Sequence, residues 1–307
     1  MIKQGEINRL FRISRNYFSS IIGSTLFEIR YGSGTKIMQR DWDNLYILDA
    51  CRYDFFKSET DLDGKLGKVT SRGRDSYEFL DENDLLDGEF HDTVYVTANP
   101  HVRYIDEGVF HAIIDDPLRS NFDKELGTVH PKFVTEAALR AHNKYPNKRL
   151  IVHYMQPHMP PVGEIRNQMG KLTDGFDMTG KMSEENRFYN LVSQGKIDKE
   201  DAITAYRENL QVVLGEVDKL SRIDGKSVIT ADHGELLGEN PSPLMGRTWS
   251  HGLTRSHFPK SKQLCIVPWF TLQNSTPRRD TTSEQPTHTD RLQADKAEEY
   301  LEALGYI

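Results

Sequence analysis

Five short runs of β-branched and aromatic residues, at 45–49 (LYILD), 93–97 (TVYVT), 149–154 (RLIVHY), 226–231 (KSVITA) and 264–270 (LCIVPWF), are separated by stretches with helical spacing. Those stretches include 134–145 (VTEAALRAHNKY) and 200–222, where Ala202, Ala205, Tyr206, Leu210, Val213 and Leu214 recur every few residues. Strands that alternate with helices pair in parallel, since each helix returns the chain across a face of the sheet. The runs are nearly continuous in apolar character, as expected of strands covered on both sides. The pattern predicts an α/β three-layer sandwich around a largely parallel central sheet, with ligands collecting at the carboxyl ends of the strands.

At 307 residues, with 37 % apolar and 10 % aromatic side chains, the chain can build a large core, and disorder throughout is excluded. Thirty-nine basic against 46 acidic side chains give a net charge of −7, which argues against nucleic acid as a partner. Two cysteines, Cys51 and Cys265, make neither a disulfide framework nor a four-cysteine zinc site. With no apolar stretch of spanning length and no signal-peptide pattern, the expected location is cytoplasmic, peripheral to the membrane at most.

The expected organisation is an N-terminal amphipathic helix (1–35), a catalytic domain (36–273), a flexible linker (274–290) and a C-terminal helix (291–307). Leu10, Phe11, Phe18, Ile21, Ile22, Leu26 and Ile29 fall mostly on one side of a helical wheel over 5–30, with Arg9 and Arg12 on the other. This helix is expected to pack on the domain through Phe11, Phe18, Ile22 and Ile29 and to leave its basic face in solvent. The alternative is a peripheral membrane contact through residues 5–30. Segment 274–290 (NSTPRRDTTSEQPTHTD) has no apolar side chain to order it by burial, and Gly305 is a natural stop for the helix after it.

Two strand ends carry ligand chemistry. The first strand delivers Asp49, equally suited to cap the next helix or to bind a ligand. The strand at 226–231 runs into Asp232, His233, Gly234 and Glu235, where an adjacent carboxylate and imidazole, with Gly allowing a sharp turn, can address one divalent cation.

YILDACRYD, SRGRDSYEFL (71–80), HYMQPHMPP (153–161), TADHGE (230–235), His251-Gly252 and the closing LEALGYI together resemble the alkaline-phosphatase superfamily, in its sulfatase-like branch. The resemblance spans most of 44–307, with TADHGE its most specific element. It implies an alkaline-phosphatase-like fold, a divalent metal on Asp49, Asp232 and His233, and a nucleophile best matched by Ser76, which is expected to be the fourth ligand of that metal. Metal coordination is a sensible activator for a hydroxyl that is otherwise a poor nucleophile, and a helix start at Ser76 would favour an incoming anion. Arg72, and after it Arg52 and Arg74, are candidates to bind the substrate oxygens, either of the ordinary ion-pair kind or as anion ligands. His158 resembles a leaving-group or substrate-contacting histidine, and His251, with His257 close by, matches the place of a late His or Lys near the leaving group or a metal. His153 reads as a buried, hydrogen-bonded strand residue and is left outside the site.

Neither cysteine sits in the C-x-P-x-R pattern of formylglycine sulfatases, and no Asp-x-x-x-His element completes a second metal site. The expectation is one metal (Mn, Zn, Mg or Ca) and a hydrolase that cleaves a phosphate or sulfate ester through Ser76, phosphate being favoured. Alternatives are a phospho-group transferase of the phosphoglycerol or phosphoethanolamine type acting on a glycan or lipid, and a catalytically silent module that binds anionic glycans.

Overall fold

In the structure, a computed structural model, residues 4–169, 188–242, 245–251, 258–273, 280–287 and 291–304 are described. The central sheet has seven strands: β1 (Asn44–Leu48), β2 (Gly64–Thr70), β3 (Phe90–Thr97), β4 (Phe110–Ile114), β5 (Arg149–Tyr154), β6 (Ser227–Thr230) and β7 (Ile266–Leu272). Their order is β2-β7-β6-β1-β5-β3-β4. The run β6-β1-β5-β3-β4 is parallel throughout, and β7 is antiparallel to both β6 and β2.

Every residue of β1, β5 and β6 is buried, although successive side chains point to opposite faces. Both faces of the sheet are therefore covered, as the continuous apolar runs require. The five strands read from the sequence all occur. The last begins later, at Ile266, because Ser261 caps a helical turn over Lys262–Cys265. Strands β2 and β4 escaped the sequence reading. The first, GKLGKVT, is an edge strand whose lysines and glycines stay exposed, so it lacks the apolar run that signals a buried strand.

Six longer or site-bearing helices matter here: α1 (Gln4–Tyr31), α2 (Tyr53–Glu59), α3 (Ser76–Glu82), α4 (Pro131–Lys144), α5 (Lys199–Asp218) and α6 (Ala294–Leu304). The Asp198 side chain caps α5 by accepting from Glu200 N at 2.8 Å, and the buried Ala202, Ala205, Tyr206, Leu210, Val213 and Leu214 form the face that meets α2 and α4. Two polar residues on this helix reach the sheet end. Tyr206 Oη donates to Ala50 O at 2.6 Å and accepts from Arg52 N at 3.0 Å. Asn209 Nδ2 donates to the carbonyls of Pro157, His158 and Pro160 while its Oδ1 accepts from Val162 N. The tyrosine thus secures the turn after β1, where Ala50 takes a left-handed φ of 60°, and the asparagine secures the loop after β5.

The orientation of α1 is the reverse of the sequence expectation. Its inward face consists of Ser19, Ser20, Gly23 and Phe27, whereas Phe18, Ile22 and Ile29 are exposed; the side chain of Phe11 lies outside the described residues. Small residues decide this, because a Cβ on Gly23 would stand 2.7 Å from Pro259 Cβ. Ser19 hydrogen-bonds Ser242, Lys260 N donates to Ser24 Oγ, and Phe27 packs with Leu236, Leu264 and Cys265.

Residues 280–287, in the segment read as a flexible linker, are tied to the domain by backbone hydrogen bonds. Thr282 N donates to Asn147 O, Glu284 N to His91 O and Thr287 N to His111 O, and Lys148 Nζ reaches Thr282 O. Hydrogen bonding holds this stretch where apolar burial cannot. Residues 274–279 and 288–290, and Gly305 beyond α6, lie outside the described residues.

Removing the Tyr206 hydroxyl leaves a buried carbonyl and a buried amide without their partner. Tyr206→Phe is expected to lower unfolding free energy by about 1–3 kcal/mol, read from the denaturation midpoint at unchanged slope.

Candidate active site

The sheet register brings the first group of side chains together. Ile47 pairs with both His153 and Thr230, and Thr97 pairs with His153. Two residues beyond these pairs come Asp49, Asp232 and Asn99, at the carboxyl ends of β1, β6 and β3. Adjacent parallel strands thus set three polar side chains at one level of the cleft.

Ser76 opens α3 and is fully buried, with Asp75 capping the helix by accepting from Glu78 N at 2.8 Å. A Cβ on Gly73 would lie 2.4 Å from Phe79 N, so the loop before Ser76 needs glycine to lie flat on α3. Ser76 Oγ donates to Asp232 Oδ2 at 2.7 Å and lies 3.3 Å from Asp49 Oδ2. Asn99 Nδ2 donates to Asp49 Oδ2 at 3.0 Å and to Ser76 Oγ at 2.9 Å. The asparagine amide is oriented by His101, whose backbone N and Nδ1 each lie 2.9 Å from Asn99 Oδ1.

Asp232 Oδ1 accepts from Ala50 N and from its neighbour His233 N. Burial alone would raise this carboxyl, but His233, His153 and the Ser76 hydroxyl hold it well below the usual carboxylate range. It stays ionised. His233 Nδ1 is 2.8 Å from Gly234 O, which only accepts, so that nitrogen carries the proton. In the neutral ring Nε2 is then a bare lone pair, buried, without a hydrogen-bond partner, and 3.5 Å from both Asp49 Oδ1 and Asp232 Oδ2. A lone pair facing two carboxylates is what a bound cation relieves. The ligand atoms of Asp49, Asp232 and His233 lie within 4.8 Å of one another, and their mixed oxygen and nitrogen set fits a borderline divalent ion. Gly234 is there for close packing, since a Cβ would stand 2.0 Å from Gln263 O.

A second buried group of metal-ligand type adjoins the first. Ligand atoms of His158, Glu235 and His251 also lie within 4.8 Å of one another. The His251 ring lies between those of His233 and His158, tilted to both, with centroids 4.5 and 5.2 Å away. His251 Nδ1 lies 3.3 Å from Glu235 Oε2. His158 Nδ1 sits on Met159 O at 2.6 Å, and its backbone N donates to Asp49 O. Burial lowers His158 to about 3 and raises Glu235 to about 7.

Asp49, Ser76, Asp232 and His233 are thus brought together, with His158 and His251 beside them. Arg52 and Arg72 are not: Arg52 is held by Asp54 and Glu239 at 2.7 and 2.5 Å, and Arg72 by Glu82 at 2.8 Å. Arg74 forks onto Glu78. These guanidinium groups brace the loops around the cleft. His257 lies outside the described residues. Sequence reasoning missed Asn99, Glu235 and the approach of His153, whose Nε2 is 3.4 Å from Asp232 Oδ2 while Tyr95 Oη bonds its Nδ1. The signal for Asn99 was available: a polar residue two positions past a strand mirrors Asp232, two positions past Thr230. Burial pushes the Cys51 thiol well up, so it is no nucleophile.

No protein-family model and no curated protein matches the chain. Solved structures do. The integral membrane lipooligosaccharide phosphoethanolamine transferase A (EptA) from Neisseria meningitidis aligns at 13 % identity and a TM-score of 0.44, over 75 % of this chain and 47 % of that one. The chain thus spans about half of EptA. The C-terminal periplasmic domain of the phosphoethanolamine transferase EptC from Campylobacter jejuni aligns at 11 % and 0.38, over 74 % and 77 %. That of EptC from Escherichia coli in complex with Zn aligns at 16 % and 0.37, over 78 % and 76 %. The chain's own architecture is an α/β fold around a largely parallel central sheet. At these identities the likeness concerns the fold, and the chemistry rests on the side chains described above.

The expected cytoplasmic location is corrected by the same finding, since three of the matched structures are periplasmic domains. The features behind that expectation do not separate compartments. Two buried, unpaired cysteines are stable in either, and the statement that holds is that no helix among the described residues is long and apolar enough to cross a membrane.

If Asn99 fixes Asp49 and Ser76 around a cation, Asn99→Ala is expected to weaken divalent-metal binding by about 10–100-fold, measured by equilibrium dialysis with Zn and Mn. Unchanged affinity would remove Asn99 from the site.

Proposed function

We propose that this chain is a metal-dependent transferase of a phosphate-ester group, working through a covalent intermediate on Ser76. The observation that carries the reading is the position of Ser76 Oγ, buried and hydrogen-bonded between two carboxylates that with His233 form a cation-ligand set. The names of the matched proteins support transfer over hydrolysis. The group class, an anionic phosphate ester on a lipid or glycan, is part of the proposal.

Asp49, Asp232, His233 and Ser76 would hold the divalent ion, which supplies positive charge to acidify the hydroxyl and to neutralise phosphoryl oxygens. Asp232 Oδ2 orients the hydroxyl, and Asn99 Nδ2, aimed at the same oxygen, is placed to donate to a phosphoryl oxygen bonded there. Ser76 Oγ, its proton given up to solvent, attacks phosphorus as the alkoxide that is restored at the end of the cycle; the P–O bond to the leaving alcohol breaks, and that oxygen takes a proton from the wall formed by His158, Glu235 and His251. An acceptor hydroxyl then attacks the phosphoserine, returns a proton to the same wall and regenerates Ser76. Hydrolysis differs only in using water at the second step. With no formylglycine motif, sulfate esters are expected to be poor substrates.

The test compares an aryl phosphate, a bis-aryl phosphate and an aryl sulfate with Mn or Zn, with and without ethanolamine or glycerol as acceptor. Phosphate esters should turn over, acceptor should become phosphorylated, and Ser76→Ala should lose about 10³-fold or more of the activity. Undiminished activity in Ser76→Ala, or faster sulfate turnover, overturns the nucleophile and the substrate class. Release of inorganic phosphate alone with acceptor present would replace transfer by hydrolysis.

A further inference from the structure

The outward face of α1 is the most apolar exposed surface among the described residues. Seven large apolar side chains there are exposed, and six of them, Tyr17, Phe18, Ile21, Ile22, Leu26 and Ile29, lie on this one helix. Phe18, Ile22, Leu26 and Ile29 are 64, 56, 62 and 78 % exposed and follow one another at steps of four, four and three, which is a single stripe along a helix. The opposite face is engaged with the domain through Ser19, Gly23 and Phe27, so rotating the helix to bury the stripe would break those contacts. Scattered exposed leucines are ordinary, but a continuous stripe is an interaction surface.

Charge selects the partner. Residues 1–31 carry Lys3, Arg9, Arg12, Arg15 and Arg30 against Glu6 and Glu28, a net of +3 in a chain whose total is −7 and whose remainder therefore carries −10. Basic residues accompanying an apolar stripe, on a helix of 28 residues too polar to span a bilayer, describe a helix lying in the plane of an anionic membrane surface. A second copy is a poorer fit, because a two-fold contact sets the positive helix against itself. We propose that α1 docks the domain onto an anionic lipid bilayer through Phe18, Ile22, Leu26 and Ile29. The proposal is independent of the chemistry assigned to Ser76.

The experiment is co-sedimentation of the full chain with vesicles of phosphatidylcholine containing phosphatidylglycerol, against vesicles of phosphatidylcholine alone. Size-exclusion chromatography and far-ultraviolet circular dichroism are run in parallel. The intact chain should bind the anionic vesicles in a salt-sensitive way. The triple variant Phe18→Ser, Ile22→Ser, Ile29→Ser, which alters only exposed side chains, should keep its circular dichroism and bind at least about tenfold more weakly. Arg9→Gln with Arg12→Gln and Arg15→Gln should remove the preference for anionic lipid. Equal sedimentation of the intact chain and the triple variant overturns the proposal. So does an intact chain that ignores vesicles and runs as a dimer split by the same three substitutions.

Discussion

Two carboxylates, Asp49 and Asp232, stand side by side at the ends of adjacent strands with no exposure to solvent. Charges within 4.8 Å of one another repel by at least about 3 kcal/mol at an effective dielectric near 20. Burial adds a desolvation cost on top of that repulsion. Such a pair persists only where the surroundings supply positive charge and hydrogen bonds, and the neighbourhood is built to do so. Ser76, Asn99 and the amides of Ala50 and His233 all donate to these oxygens, while His233 and His153 approach them with ring nitrogens. A divalent cation would complete the neutralisation, and the proposed metal site rests on that.

The rest of the architecture keeps that pair in place. Parallel register sets the level of Asp49, Asp232 and Asn99, and α5 then holds the two loops that leave the sheet. Tyr206 closes the turn after Asp49, and Asn209 gathers three carbonyls of the loop that presents His158. The Ser71 hydroxyl bonds the Asp232 carbonyl, tying the approach to Ser76 to the other side of the site. Arginines surround this centre but are turned to carboxylates, Arg52 to Asp54 and Glu239, Arg72 to Glu82 and Arg74 to Glu78, so they stiffen the rim.

The two halves of the chemistry occupy neighbouring compartments. Beside the Ser76 group, whose aspartate is strongly acidic, lies the group of His158, Glu235 and His251, where burial keeps the imidazole of His158 neutral and lifts Glu235 toward neutrality. Environments that push titratable groups apart in this way are typical of sites that bind a charge on one side and handle protons on the other. Helix α1 packs against Leu236 and bonds Ser242, next to that second group in the chain.

The strands and the α/β class were legible in the sequence, and Asp49, Asp232 and His233 could be placed at one edge, because a buried parallel strand writes itself as an unbroken apolar run and these polar residues follow at its end. Local signals of that kind do not depend on what packs nearby. Strand β2 was illegible since an exposed edge lacks the run, and Asn99 and Glu235 passed unnoticed because a polar residue after a strand acquires meaning only beside its partners. The direction of α1 went the opposite way to its amphipathic pattern. The pattern showed that one face is apolar, whereas the close approach of Gly23 to Pro259 decided that a different face turns inward. Likewise the arginines near Ser76 matched anion ligands by sequence proximity, and only the folded loops, by supplying a carboxylate to each, settled where their charge is spent. Sequence determines which groups are present and the local element that bears them; pairing among distant groups, being a matter of distance and desolvation, is decided by the tertiary structure.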